Sequence, residues 1–196
     1  MNRRLNKIFL LSAVLLFAAA SESGAQRVRF FTQFGTSDVG FNQWYQTDGD
    51  FTAGLLFPIS KNVSFGPVYT FMPNVKYYVF DYKNAAEKTT ASRMGGLLRY
   101  NIVKLPKFEF YLQNIVSGLS VSYSGLVLSS GGQVPESGKD SALLFGGGAG
   151  FIYKVSPGFQ INVFDFNISY VDLTISDRKI HKDYRVGLIF QPFRSK

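Results

Sequence analysis

Cysteine is absent from the 196-residue sequence, which excludes a disulfide framework, cysteine-held zinc or iron–sulfur centres and any thiol nucleophile. His181 is the only histidine. One His among scattered acids does not supply the clustered ligands a metal needs, so neither a metal nor a cofactor is expected. Charge is scarce too, at 17% of residues against about a quarter in soluble globular chains. Long apolar runs are missing. The longest, residues 8–20 interrupted by Ser12, falls short of the roughly 20 residues that carry a helix across about 30 Å of hydrocarbon. Helical periodicity is nearly absent. What the chain has instead is 20 Phe, 11 Tyr and 19 Gly, with 46% hydrophobic residues. A chain of this kind is not disordered, and its surface is not made wholly for water.

The first 25 residues read as an export signal. Residues 1–7 carry three positive charges, the apolar run follows, and Ser23-Gly24-Ala25 places small residues before Gln26, which is the order of a secretory signal peptide. Cleavage is expected after Ala25. It leaves one domain, 26–196, with 18 basic and 12 acidic side chains.

Along that domain, apolar residues alternate with small or polar ones at the two-residue period of a strand with two unlike faces. Eight strands are predicted, at about 27–35, 50–59, 62–82, 90–104, 108–128, 141–155, 159–175 and 183–193. In the second, Phe51, Ala53, Leu55, Phe57 and Ile59 oppose Thr52 and Gly54. Two strands change phase. In the fifth, the apolar parity passes from Phe108, Phe110 and Leu112 to Leu119, Val121 and Tyr123, which predicts a bulge near Ser117-Gly118. In the seventh it passes from Val163 to Phe164. The connections at 36–49, 83–89, 129–140 and 176–182 are long and polar, whereas those at 60–62, 105–107 and 156–158 are tight. Long loops at one end and short turns at the other, joining an even number of antiparallel strands, is the construction of a transmembrane barrel. Both termini then fall at the short-turn end.

A soluble barrel would repeat Lys and Glu on its polar face. Here that face is mostly Gly, Ser, Thr, Asn and Gln with isolated Arg, so the apolar face is assigned to lipid. Aromatic residues gather at both strand ends, Phe57, Phe65, Phe108, Phe110, Tyr153, Phe159 and Phe190 at one and Trp44, Tyr45, Phe51, Tyr77, Tyr123, Tyr170 and Tyr184 at the other, as two interfacial girdles would.

With its last strand, Tyr184-Arg185-Val186-Gly187-Leu188-Ile189-Phe190-Gln191-Pro192-Phe193, the chain resembles the small eight-stranded outer-membrane barrels of the OmpA and OmpX type, within the porin-like proteins of Bacteroidetes style. The resemblance implies an all-β, up-and-down barrel in the outer membrane of a Gram-negative cell, with periplasmic termini. It also implies insertion by the barrel assembly machinery, although Pro192 and the basic tail Arg194-Ser195-Lys196 depart from the family's C-terminal signal. Such barrels have unrelated jobs, so the likeness is of architecture.

An eight-stranded barrel is only wide enough for side chains to fill. The inward parity offers Arg29, Arg93, Arg99, Lys154 and Arg185 against Glu109 and Asp165, expected to form a charge network that plugs the lumen, since buried charges must be paired. Pairing Ile102 with Phe108 would set Arg99 diagonal to Glu109, and Asp165 would meet Arg185 between neighbouring strands. An anion site on the surplus positive charge is the alternative. His181, beside Ser176, Asp177 and Asp183, falls in the last long loop, where it reads as a solvated side chain. Some barrels of the resembled kind hydrolyse or transfer acyl chains of lipid A with a His, a Ser and a carboxylate, which keeps that reading as an alternative. No catalytic residue is assigned. Gly146-Gly147-Gly148-Ala149-Gly150 lacks the Lys-Ser/Thr of a phosphate loop and lies in a strand, where close approach explains it.

The expected role is structural or recognitional. Phe41, Trp44 and Tyr45 in the first long loop are candidates for a protein partner or for interfacial anchoring. Outer-membrane lipids and lipopolysaccharide are expected partners of loop and rim Lys and Arg. Nucleic acid is not, because the basic residues are dispersed. A narrow solute channel, with a lateral gap beside Pro67 or the seventh strand, and an accessory of a secretion or assembly complex complete the alternatives.

Overall fold

The computed structural model describes residues 28–39, 45–47, 49–73, 75–77, 88–129, 132–172 and 180–192. They form ten strands in one antiparallel sheet: β1 (Arg29–Val39), β2 (Tyr45–Thr47), β3 (Asp50–Pro58), β4 (Val63–Met72), β5 (Val75–Tyr77), β6 (Lys88–Lys104), β7 (Phe108–Ser129), β8 (Gly132–Ser156), β9 (Phe159–Asp172) and β10 (Ile180–Phe190). Pairing of β1 with β10, from Phe30↔Phe190 to Val39↔His181, closes the sheet on itself. β1 pairs with β3 below and with β2 above, so β2 prolongs the wall of β3, and β5 that of β4. The barrel therefore has eight walls, and closure leaves it no sheet edge around its circumference. No helix occurs among the described residues.

Ile59 and Ser60 N–H groups donate to the Val63 carbonyl across one tight turn, and Leu105 N–H donates to the Phe108 carbonyl across the next. The first and last strands begin and end at this same end of the barrel. At the other end β1, β6, β7, β8 and β10 run farther than predicted, whereas the described strands end at Tyr77 and Asp172 where 82 and 175 were expected. β7 and β8 stay paired without a break from Phe108↔Tyr153 to Ser129↔Gly132, so most of the stretch expected as the loop 129–140 is hairpin. β10 starts at Ile180, opposite Tyr170, which takes His181 out of the loop expected at 176–182.

The outer face is apolar around the whole circumference. Among the described residues, 26 large hydrophobic side chains are exposed, including Phe34, Tyr69, Met94, Leu112, Phe145, Phe164 and Val186. Rings meet along this belt: Phe110 lies 4.7 Å from Phe151, Phe159 lies 5.2 Å from Phe190, and Phe34 lies 5.1 Å from Phe51. Of the aromatic residues predicted to gird the short-turn end, Phe57 is buried.

No bulge occurs near Ser117-Gly118, because the β6–β7 register is unbroken from Lys88↔Ser124 to Asn101↔Tyr111. Tyr111, Gln113, Ile115, Ser117, Leu119 and Val121 all point inward and are buried. The change of phase is a change of surroundings. Up to Val116 the outer face is apolar except at Asn114, and the inner face carries Glu109 and Gln113 beside Tyr111 and Ile115. Beyond it, exposed Ser120 and Ser124 face outward while Leu119 and Val121 join Met72, Val75, Ala91 and Leu144 in an apolar core. The bulge at Val163-Phe164 is present: Phe151 pairs with Phe164 but Ile152 pairs with Asn162, so β9 holds an extra residue and both Val163 and Phe164 face out. A second, unpredicted bulge lies at Ile102 in β6.

Candidate functional site

The inward side chains form three polar tiers along the barrel. At the short-turn mouth, Glu109 on β7 receives Arg29 from β1 at 3.0 Å and Lys154 from β8 at 3.0 Å. Arg99 does not reach Glu109. The bulge at Ile102 sets Arg99 opposite Gln113 in place of Tyr111.

In the middle tier Arg99 lies 3.7 Å from Asp165, and its Nη2 donates to Gln113 Oε1 at 3.0 Å. Its guanidinium stacks 3.9 Å from the centroid of the Tyr111 ring, where a ring face attracts a cation. Donors converge on Asp165: Tyr111 OH at 2.5 Å, Gln33 Nε2 at 3.0 Å and Gln113 Nε2 at 3.0 Å. Tyr111 stands on β7 and Asp165 on β9, so the phenol must cross β8. It crosses at Gly150, where a Cβ would overlap its Oη and Cζ atoms. Gln113 likewise reaches Asn167 at 2.8 Å, past Gly148. The glycine-rich run in β8 is thus a smooth inner wall over which β7 side chains reach β9, as close approach requires.

The third tier lies toward the loops. Asp183 sits between Arg93, 2.8 Å away, and Arg185, 2.9 Å away. Arg185 also clasps Asp50 through Nε at 2.8 Å and Nη2 at 3.1 Å, a side-on, two-point pairing of guanidinium with carboxylate. Ser37 Oγ bridges Asp50 and Asp183 at 2.5 and 2.7 Å. His181 Nε2 lies 2.5 Å from Asp183 Oδ1 and 3.2 Å from Arg93 Nη1. Asp165 and Arg185 do face one another in the β9–β10 register, but each turns to another partner. Beside this tier, toward the loops, Met72, Val75, Ala91, Leu119, Val121 and Leu144 from β4 to β8 pack as an apolar core.

All seven charged residues read from the sequence as lumen-facing take part in ion pairs, in sets other than the two predicted pairs. Sequence reading missed Asp50 and Asp183. With them the described residues place four carboxylates in the lumen, Asp50, Glu109, Asp165 and Asp183, against five cations, and among these residues the surplus on which an anion site would rest is nearly gone. It also misplaced His181, which is 0% exposed. The signal was available: His181, Asp183 and Arg185 are spaced by two and share one face of a strand. The gap considered beside Pro67 is closed. Pairing does lapse between Gly54↔Val68 and Phe57↔Phe65, where Pro67 has no N–H to give, yet a Cβ on Gly66 would overlap the Leu55 carbonyl. Phe41 and Trp44 lie outside the described residues, and Tyr45 enters only as a ladder position opposite Val39 and Tyr77.

The sequence matches no known family and no curated protein. Among solved structures the chain is similar to Neisserial surface protein A, with 13% identity over 84% of this chain and 96% of that one, at a TM-score of 0.58. It is also similar to the attachment invasion locus protein Ail of Yersinia pestis, with 13% identity over 86% and 100% at a TM-score of 0.49. A third likeness is to the N-terminal β-barrel domain of Pseudomonas aeruginosa OprF, with 11% identity over 84% and 98% at 0.47. The first of these carries the structural conclusion: the chain has the fold of a small, closed, eight-stranded barrel of the outer-membrane kind.

Proposed function

We infer that this barrel is an outer-membrane protein of a Gram-negative cell whose lumen does not conduct and whose role is structural or recognitional. The observation that carries the reading is the buried lumen charge: Arg99 and Asp165 are each 1% exposed, and Arg93 2%. The uncharged outer belt supports lipid around the walls, since an exposed apolar surface of this extent has no place in water. The leader at 1–25 supports export, the short-turn end is then periplasmic, and insertion would use the barrel assembly machinery. Recognition belongs to the loop end, where β7 and β8 continue beyond the belt with an outward row of exposed Ser120, Ser124, Ser137, Lys139 and Ser141. Tyr45, which opens β2, and Phe41 and Trp44, which precede it in sequence, remain candidates for a protein partner. Lipopolysaccharide headgroups would surround the wall at this height.

Catalysis by His181 finds no support, because acyl transfer requires a nucleophile and base within reach of substrate, and His181 is closed in among Arg93, Asp183 and the strand walls. Refolding into phospholipid vesicles loaded with small sugars tests the reading. The expected result is an inserted barrel that migrates faster unheated than boiled and leaves the sugars trapped. Release of sugars by folded protein would refute the sealed lumen.

A further inference from the structure

The positive charge of this protein is not spread around it. By sequence position the described residues include twelve Lys and Arg and eight Asp and Glu. Five of those cations, Arg29, Lys61, Lys104, Lys107 and Lys154, stand at the short-turn mouth with a single carboxylate, Glu109. Among the described residues elsewhere, seven cations are matched in number by seven carboxylates, so the mouth holds the surplus of the described residues.

These residues are neighbours in space. Lys104 Nζ donates to the Lys61 carbonyl, Lys154 Nζ donates to the Leu105 carbonyl at 3.0 Å, and Lys154 N–H donates to the Lys107 carbonyl at 2.8 Å. Lys104 feels the charges of Arg29, Lys154 and Lys61 as well as that of Glu109. Glu109 is already engaged by Arg29 and Lys154. Lys61, Lys104 and Lys107 are exposed, and the crowded like charges favour an anion brought from outside.

The same turns carry exposed apolar side chains: Ile59 two residues before Lys61, Leu105 between Lys104 and Lys107, and Val155 next to Lys154. A soluble acidic partner would gain nothing from leaving these in water. A bilayer interface takes both kinds, with the apolar side chains lying among acyl chains and the lysine stems reaching outward to phosphates.

We propose that this collar binds the headgroups of anionic phospholipids in the leaflet on the short-turn side, with Lys61, Lys104 and Lys107 as the phosphate-contacting residues. The proposal rests on the membrane reading above and extends it by assigning lipid selectivity to the end opposite the loops. It also fixes the barrel's height, because the collar holds the turns at the headgroup level.

The test is the association of spin-labelled phosphatidylglycerol and phosphatidylcholine with the full chain reconstituted in phosphatidylcholine bilayers, read from the motionally restricted fraction. The wild type is expected to prefer phosphatidylglycerol by about five-fold or more, the order that one lysine near an anionic surface contributes. Lys61→Gln, Lys104→Gln and Lys107→Gln together should bring the preference close to unity, with heat-modifiable migration showing the barrel still folded. Salt at 1 M, where screening acts within about 3 Å, should weaken the preference in the wild type without any substitution. Equal association of the two lipids with the inserted wild type overturns the proposal alone, as does a preference that survives in the triple variant. Retention of soluble polyglutamate in place of lipid selectivity overturns it in favour of an acidic partner. Failure to insert into either bilayer overturns the membrane reading, and this proposal with it.

Discussion

Replacing Asp165 by Asn removes one charge from the middle of the lumen and changes the side chain's shape very little. The carboxylate is 1% exposed, lies 3.7 Å from the Arg99 guanidinium and accepts hydrogen bonds from a phenol, two glutamine amides and the Asn167 amide. An asparagine there turns an N–H₂ group toward those donors and leaves Arg99 without its counter-charge. Breaking a buried pair from one side costs about 3–5 kcal/mol, or roughly two to nearly four powers of ten in the folding equilibrium. Part of the Arg99 charge remains stabilised by the Tyr111 face 3.9 Å away and by Gln113, so the lower half of that range is expected. Adding Arg99→Met should restore stability by at least about 1 kcal/mol, because a buried pair replaced on both sides by uncharged groups is often nearly neutral. Urea titration in short-chain phospholipid vesicles, with the folded fraction read from gel mobility, measures both. If Arg99→Met instead adds a cost of its own to Asp165→Asn, the two residues are not a desolvated pair and the reasoning fails.

Gly150→Ala should cost about 1–3 kcal/mol, the usual penalty of overpacking, since its Cβ would displace the Tyr111 phenol from Asp165; unchanged stability in the same titration would mean that Tyr111 does not cross β8 there. Leu112→Arg, on the apolar belt, should cost about 2–4 kcal/mol, whereas Ser124→Arg on the same strand, beyond the belt, should cost about 0–1. Equal costs would place both at one depth and contradict the change of surroundings along β7. Leu119→Ser, inside the loop-side apolar core, should cost about 2 kcal/mol or more through lost burial and a cavity, measured by the same urea midpoint; a surface-like effect would mean that Leu119 faces out.

The period-two pattern made the walls legible because lipid and lumen impose opposite polarities on neighbouring residues. β3 begins and ends within a residue of its prediction, and β6 within two. The pattern misled where the surroundings change along one strand. In β7 the exchange of polarity after Val116 looks like a bulge in sequence, because alternation records which face is apolar and not which face is inside. Strand ends toward the loops were hidden for a related reason. Ser37 and His181 fall in stretches that read as loops by composition, yet inside the barrel they meet Asp50, Asp183 and the two arginines. Single-residue bulges were partly visible. Val163-Phe164 breaks the alternation and was found, whereas Ile102-Val103 lies in an apolar stretch beside a turn, and the register of Arg99 depended on it. Which charges meet could not be read for the same reason, since the ion pairs cross the lumen between strands that are not neighbours, β1 to β7, β6 to β9 and β6 to β10.

Single-channel recording in a planar bilayer puts the sealed lumen to its most direct test. Folded wild-type protein, checked by heat-modifiable migration, is expected to leave the bilayer silent, with three tiers of paired charge in the path of any ion. Steady, unitary openings from folded protein would contradict that account.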